Sequence, residues 1–184
     1  MLDNIKLRKP LITDLDNHIK WENDSKNNDY TDLPVVYTTQ QIEAFLRSNH
    51  DLFLQNQLRY IIELNSLSVG CIDLYDYDVV NSRAGVGIYV DRDFRNIGVA
   101  SKSLDIIKTI SRDFYHISNL YADIISKNTK SIKVFENANF KRNGLKENWI
   151  RTQNSFENVL FYQCCLINDW CLFVHVHLIS YCCN

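Results

Sequence analysis

The sequence predicts a mixed α/β (α+β) domain, and three stretches predict it. An apolar run over 84–90 leads into a turn, Arg95-Asn96-Ile97-Gly98-Val99-Ala100, that opens a helical run over 97–115. A second strand-like run follows at 120–125, after which a short helix passes into another strand over 128–143. Upstream, two apolar runs, 58–64 and 69–75, flank Asn65-Ser66 as the arms of a hairpin.

The 184 residues suffice for one domain with a sizeable core, and no Ser/Gly-rich linker or internal repeat divides them. A net charge of −2 gives no reason to expect a nucleic acid or an anionic membrane as partner. No basic, apolar leader opens the chain, and no apolar run approaches the ~20 residues that span a bilayer, so a cytoplasmic location is expected.

Taken in order, 5–8 reads as a first strand ended by Pro10. Thr13 is the expected N-cap of a helix favoured by Asp14 and Asp16, with Leu15, Ile19 and Trp21 on its buried side. A polar stretch at 23–32 separates it from a second helix over 40–47, capped by Thr39 and carrying Ile42, Phe45 and Leu46. The hairpin comes next, then the strand 85–90 and the long helix, whose stripe is Ala100, Leu104, Ile107, Ile110 and Phe114. A strand at 119–125, a helix at 129–138 and strands at 139–143 and 157–163 complete the domain.

Function concentrates at the start of the long helix. The first amides of a helix have no intrahelical acceptor, and the helix dipole is positive there. Gly98 lets the backbone approach an anion closely, and Arg95 adds a fork of donors at the mouth, so a pyrophosphate fits. A glycine needed only for packing the strand-to-helix turn is the plainer alternative. The chain has no P-loop, and Gly85-x-Gly87 continues into a strand rather than a dinucleotide-binding turn.

With Asn128, Ser131, Phe135 and Phe140 downstream, Arg95, Gly98 and Ala100 make the chain resemble the GNAT acetyltransferase superfamily over residues 5 to 163. The resemblance implies a mostly antiparallel sheet of seven strands, splayed at the cofactor strand, with helices on both faces. It implies acetyl-CoA as co-substrate. The backbone of Ile88, Tyr89 and Val90 would pair with the pantetheine arm as if it were another strand. The amides of Arg95, Asn96, Ile97, Gly98, Val99, Ala100 and Ser101 would hold the pyrophosphate. Asn128 would contact the pantetheine or position the cofactor, and Ser131 would line the same wall. Asn128 reads equally well as a helix N-cap, and the two roles are compatible.

The chain departs from the family pattern at three places. Phe135 stands where many members carry a tyrosine acid, and Gly85 lies near the place of a glutamate base. Asn139 replaces the glycine before the final phenylalanine, a mild change because asparagine tolerates left-handed backbone. Tyr89 is a substitute donor, though a packing role suits it better, and the amide of Tyr89 or Val90 would receive the oxyanion.

For the acceptor, Glu22, Asp73 and Asp76 are the expected acids, with Asp73 also able to relay a proton; solvated surface groups are the alternative. Strand alternation places Asp73 with Cys71 and Tyr75, and Asp76 with Ile72 and Leu74. The segments around Trp21, Leu58, Gly70 and Arg83 look most like the spermidine/diamine and ribosomal-protein branches. They point to a small amine such as a polyamine, with a protein N-terminus or an amino-sugar as alternatives. An acyl-CoA-binding regulatory module without turnover is the reading from a different class.

The tail 164–184 carries Cys164, Cys165, Cys171, Cys182 and Cys183 with His175 and His177. No paired C-x-x-C spacing appears, so no metal is expected. An added strand over 172–181, or an edge that forms a homo-oligomer, fits its alternation better. Cys71 reads as a small core residue.

Overall fold

The structure is a computed structural model that describes residues 4–24, 36–152 and 155–167. Its strands are β1 (Ile5–Arg8), β2 (Gln57–Leu64), β3 (Leu67–Asp78), β4 (Arg83–Val90), β5 (Asn119–Ile125), β6 (Lys141–Arg151) and β7 (Phe156–Cys165). Its helices are α1 (Leu15–Glu22), α2 (Thr39–Leu46), α3 (Leu52–Gln55), α4 (Val99–Tyr115) and α5 (Thr129–Asn137). The strands form one open sheet in the order β1-β2-β3-β4-β5-β7-β6. Every pairing is antiparallel except β4 with β5.

Helices cover both faces. Leu58 and Ile62 of β2, Ile72 and Leu74 of β3 and Val86 of β4 pack on one face against Leu104 and Ile107 of α4. The alternate residues Ile61 and Cys71 point the other way and meet Trp21 of α1. Asn65 and Ser66 both have positive φ (50° and 66°), as a tight two-residue hairpin turn requires.

Capping fixes the helix boundaries and corrects several expected ones. Thr13 lies inside a 3-10 turn, Ile12–Asp14, and Asp14 precedes α1. The cause is the Asp14 carboxylate, which Arg8 grips with two donors at 2.7 Å while Ser68 and the Leu11 amide add bonds at 2.8 Å. In α1 the wholly inward residues are His18 and Trp21, with Leu15 and Ile19 half-buried. Thr38, not Thr39, caps α2: its Oγ1 accepts from the Gln41 amide at 3.3 Å, and Gln41 Oε1 accepts from the Thr38 amide at 2.8 Å. The unanticipated α3 is capped by Asp51, which accepts from the Phe53 and Leu54 amides.

α4 starts at Val99, two residues later than expected, and ends on left-handed His116, with the Ile117 amide returning to the Ser111 carbonyl at 2.9 Å. Its buried stripe is Val99, Ser103, Leu104, Ile107 and Ser111. Phe114 is 74 % exposed in the last turn, where Tyr115 takes the inner place and meets Tyr60 hydroxyl to hydroxyl at 3.2 Å. β7 runs through Cys164 and Cys165, two residues beyond the expected 157–163, and Cys164 is buried opposite Leu120. The strand expected over 172–181, with Cys171, Cys182, Cys183, His175 and His177, lies outside the described residues. No helix among the described residues is long and apolar enough to cross a membrane.

Candidate active site

β4 and β5 pair through only three residues each, 83–85 against 119–121. Beyond Gly85, β4 keeps pairing with β3 as far as Val90, and β5 with β7 as far as Ile125. The two strands therefore diverge into a V whose walls are unmatched strand edges. The Asp91 amide donates to the Val69 carbonyl at 2.8 Å, and strand alternation from that bond directs the groups of Ile88 and Val90 into the gap. The same alternation turns the Tyr89 amide toward β3, so of the two expected oxyanion donors the Val90 amide faces the V. The Tyr89 ring packs against Trp21, with centroids 5.9 Å apart.

The turn at the mouth of the V is built by Asp91. Its carboxylate accepts from Trp21 Nε1 at 3.0 Å, Lys20 Nζ at 2.7 Å and the Asp93 amide at 3.4 Å. Burial pushes the Asp91 carboxyl up, but Lys20 and Trp21 outweigh it and hold the pKa below the usual carboxylate range. Asn96 and Gly98 then take positive φ (63° and 90°) and swing the chain into α4. The first intrahelical bond runs from the Lys102 amide to the Gly98 carbonyl at 3.1 Å, and no side chain caps the helix. The amides of Val99, Ala100 and Ser101 are thus left to an outside acceptor. Arg95 behaves differently from the expected mouth donor: its Nε donates to the Val90 carbonyl at 2.7 Å, its guanidinium lies 5.5 Å from the Tyr89 ring centre, and its amide donates to Arg92. Arg95 therefore ties the turn to the end of β4.

Across the V, Asn128 caps α5 by accepting from the Ser131 amide at 3.1 Å, which leaves its Nδ2 for a ligand. Ser131 is half-buried one turn on. Phe135 is buried edge-to-face on Phe140, centroids 5.0 Å apart, and brings no hydroxyl. Asn139 is left-handed at φ 64°. At Gly85 a Cβ would lie 2.3 Å from Cε2 of Tyr75, so the Tyr75 ring fills the place of a side chain there.

The three expected acceptor acids separate into two groups. Glu22 and Asp73 meet on Arg59, a residue the sequence reading missed. Arg59 Nε and Nη2 grip both oxygens of Asp73 at 2.7 Å, Nη1 binds Glu22, and the guanidinium stacks on Phe45 at 5.0 Å. Both carboxylate oxygens of Asp73 are therefore engaged by that fork. Asp76 lies elsewhere. The pairing of β3 with β4 shifts between Tyr75 and Asp78, and Asp76 takes φ 49°, which brings it to the Tyr75 face instead of that of Ile72 and Leu74. There it accepts a long bond from the Tyr121 hydroxyl at 3.4 Å.

Asp76 borders an open groove of about 1050 Å³ at the closed end of the V, with Tyr121, Phe161, Trp149, Asp78 and Asp123. Tyr75 meets Tyr121 edge-on and Tyr121 stacks on Phe161, with centroids 6.0 and 5.7 Å apart. Burial, with Asp76 and Asp123 nearby, pushes the Tyr121 hydroxyl up to about 12, so it is a donor at neutral pH. Asp123 is paired with Lys146 at 2.7 Å and Asp78 with Arg83 at 3.0 Å. Asp76 has no cationic partner among the described residues.

Residues 4–141 match the family model described as an acetyltransferase (GNAT) domain. The chain belongs to the GNAT acetyltransferase family. A Bacillus licheniformis protein named uncharacterized N-acetyltransferase p20 is 20% identical over 163 residues, 87% of this chain and 92% of that protein. Spermidine N-acetyltransferase from Vibrio cholerae, solved with CoA and spermine, superposes with a TM-score of 0.79 at 15% identity, covering 89% of this chain and 96% of that one. The ribosomal L7/L12 α-N-protein acetyltransferase RimL, solved with CoA, gives a TM-score of 0.79 at 16% identity over 89% and 94%. The fold is thus the GNAT fold, the chain is an N-acetyltransferase, and acetyl-CoA is its co-substrate. The free amides of α4 and the unmatched β4 edge fit that co-substrate.

Proposed function

We propose that this GNAT enzyme acetylates a small primary amine, a polyamine such as spermidine being the best fit, by direct attack. The observation that supports this reading most is the groove at the closed end of the V, with an Asp76 carboxylate that has no cationic partner among the described residues and aromatic faces beside it. Cations are drawn to both. Bound acetyl-CoA supplies the acetyl thioester: the C–N bond forms as C–S breaks, the amine gives up a proton, and the thiolate takes one up.

The chain's own residues divide the work. Val99, Ala100 and Ser101 amides hold the pyrophosphate, with Asn96, Ile97 and Gly98 shaping the turn. Ile88 and Val90 pair with the pantetheine arm, which Asn128 Nδ2 and Ser131 border from the other wall. The Val90 amide meets the charge that develops on the acetyl oxygen. An alkylammonium has a pKa of roughly 10, so it must be deprotonated before attack, and water leads that proton to Asp76. Asp73 and Glu22 act at one remove, by holding Arg59.

A reading without turnover draws on one observation: neither Gly85 nor Phe135 carries a proton-transfer group. Release of CoA thiol from acetyl-CoA, assayed with spermidine, spermine, N-terminal peptides and amino-sugars, decides between them. Turnover with one class names the acceptor. Acetyl-CoA binding by calorimetry with no release from any acceptor supports the regulatory module.

A further inference from the structure

Gly87 stands in the middle of a strand with nothing around it that forbids a side chain. The other glycines are accounted for. A Cβ at Gly70 would lie 2.2 Å from the Tyr89 carbonyl oxygen, and one at Gly85 would enter the Tyr75 ring. Gly98 takes a positive φ, and Gly144 sits where the pairing of β6 with β7 shifts. Gly87 does not take a positive φ, and it lies in a regular part of β4, directly opposite Asp73. Among the described residues, a Cβ there would meet only Cε1 of Tyr75, at an ordinary 3.8 Å. The position is half-buried. A glycine inside a strand weakens it, and commonly marks a place that a ligand approaches closely.

Its place in the sheet says which ligand. Val86 packs against α4, so strand alternation turns Gly87 to the opposite face, away from the helix whose amides hold the pyrophosphate. On that face Gly85 and Tyr89 lie about 7 Å to either side of it. The Tyr75 ring stands over Gly85 at the edge of the groove, and the Tyr89 ring leans on Trp21. Asp73, across on β3, gives both its oxygens to Arg59. An acceptor held at Asp76 and reacting in the V therefore crosses Gly87, where a methylene chain, about 4 Å thick at contact distance, fits between the rings. We propose that Gly87 is a specificity-determining residue of the acetyl transfer: its missing side chain keeps open the passage by which the acceptor's carbon chain runs from the groove to the thioester. This role rests on the acceptor occupying the groove, as proposed above.

The probe is CoA whose sulfur carries an N-butylacetamide arm, a stable thioether that puts an amide and a four-carbon chain where acetyl group and acceptor would meet. Its binding and that of CoA are measured by calorimetry for the parent, Gly87→Ala and Gly87→Val. The parent should bind the adduct at least as tightly as CoA. Gly87→Val should raise the dissociation constant of the adduct about tenfold or more and leave that of CoA within about twofold, with Gly87→Ala between. Valine suits a strand, and any residue other than glycine restricts the unfolded chain, so neither substitution should lower Tm. A lowered Tm in Gly87→Ala would reveal an internal reason for the glycine and overturn the proposal. So would an adduct that binds Gly87→Val as tightly as the parent, equal weakening of adduct and CoA, or a parent that binds CoA much more tightly than the adduct. The arm of the adduct is uncharged, so spermidine that gives no thiol release would refute the polyamine reading and leave the Gly87 result standing. An adduct indifferent to Gly87→Val, beside a raised KM in Asp76→Asn, would do the reverse.

Discussion

Gly98 is the position where one added side chain should separate cofactor binding from folding. It sits at φ 90° immediately before α4, and the amides of Val99, Ala100 and Ser101 follow it without an intrahelical acceptor. In Gly98→Val a β-branched residue meets left-handed backbone, at a cost of about 1–2 kcal/mol. For a chain of this length that lowers Tm by roughly 2–8 °C, so the protein stays folded. Binding suffers more. Hydrogen bonds to a charged group contribute about 1.5–3 kcal/mol each. If relaxation of the strained turn misaligns two of the three amides, about 3–6 kcal/mol is lost, a rise in the CoA dissociation constant of roughly 10²–10⁴-fold. Calorimetric titration with CoA reads the affinity, and thermal unfolding of the same sample reads the strain. Gly144→Ala, whose Cβ would make an ordinary 3.5 Å contact with Phe161, is the control for glycine removal. A Gly98→Val protein with the small Tm loss but CoA affinity within about threefold of the parent would refute the assignment of the pyrophosphate to these amides.

The remaining predictions bear on the groove and its supports. Asp76→Asn removes the groove's unpaired carboxylate and should raise KM for a polyamine about tenfold with CoA affinity unchanged; an unaltered KM in steady-state assays counts against the groove as the acceptor site. Gly85→Ala should cost about 1–3 kcal/mol in denaturant unfolding because Tyr75 must move, and the two positions should couple in a double-mutant cycle with Tyr75→Ala; strict additivity would sink the steric argument. Arg59→Met strands the half-buried Asp73 and Glu22 and should cost about 3–5 kcal/mol, whereas a loss below about 1 kcal/mol would mean the pair is solvated. The Asp14 and Asp91 carboxyls are pushed up by burial but held lower, on balance, by Arg8 and by Lys20 and Trp21 respectively. Because the folded values lie below the unfolded ones, their stabilisation is complete above about pH 4 and is lost as pH falls through the lowered values; Asp14→Asn should flatten that acid limb of the unfolding curve.

The sequence disclosed the parts of the fold that depend on local chemistry. The strand, glycine turn and long helix at 84–115, the Asn65-Ser66 hairpin and the Asn128 cap each follow from residues close in the chain. Side-chain alliances across the sheet were not legible, because they depend on register. Pairing of Leu64 with Leu67 and Glu63 with Ser68 would carry on to set Arg59 opposite Ile72. A bulge after Ile62 inserts one residue on β3 and brings Arg59 opposite Asp73 instead. That single irregularity creates the ion cluster that holds Glu22 and Asp73, and nothing local marks it. Asp76 was misplaced for the same reason, since its left-handed backbone breaks the alternation from which its face was read. A lone histidine on a helix, such as His18, carries no signal until its neighbours across the fold are known.

The departures from the family pattern gain a physical meaning in this light. Gly85 is not a catalytic position left blank, because the Tyr75 ring stands where any side chain at 85 would begin. Tyr75 in turn meets Tyr121 edge-on, and Tyr121 donates to Asp76. A side chain at 85 and the row of rings across β3, β5 and β7 therefore compete for the same space. On the proposal that the groove takes the acceptor, its proton leaves at the end of this row, where Asp76 has no cationic partner among the described residues.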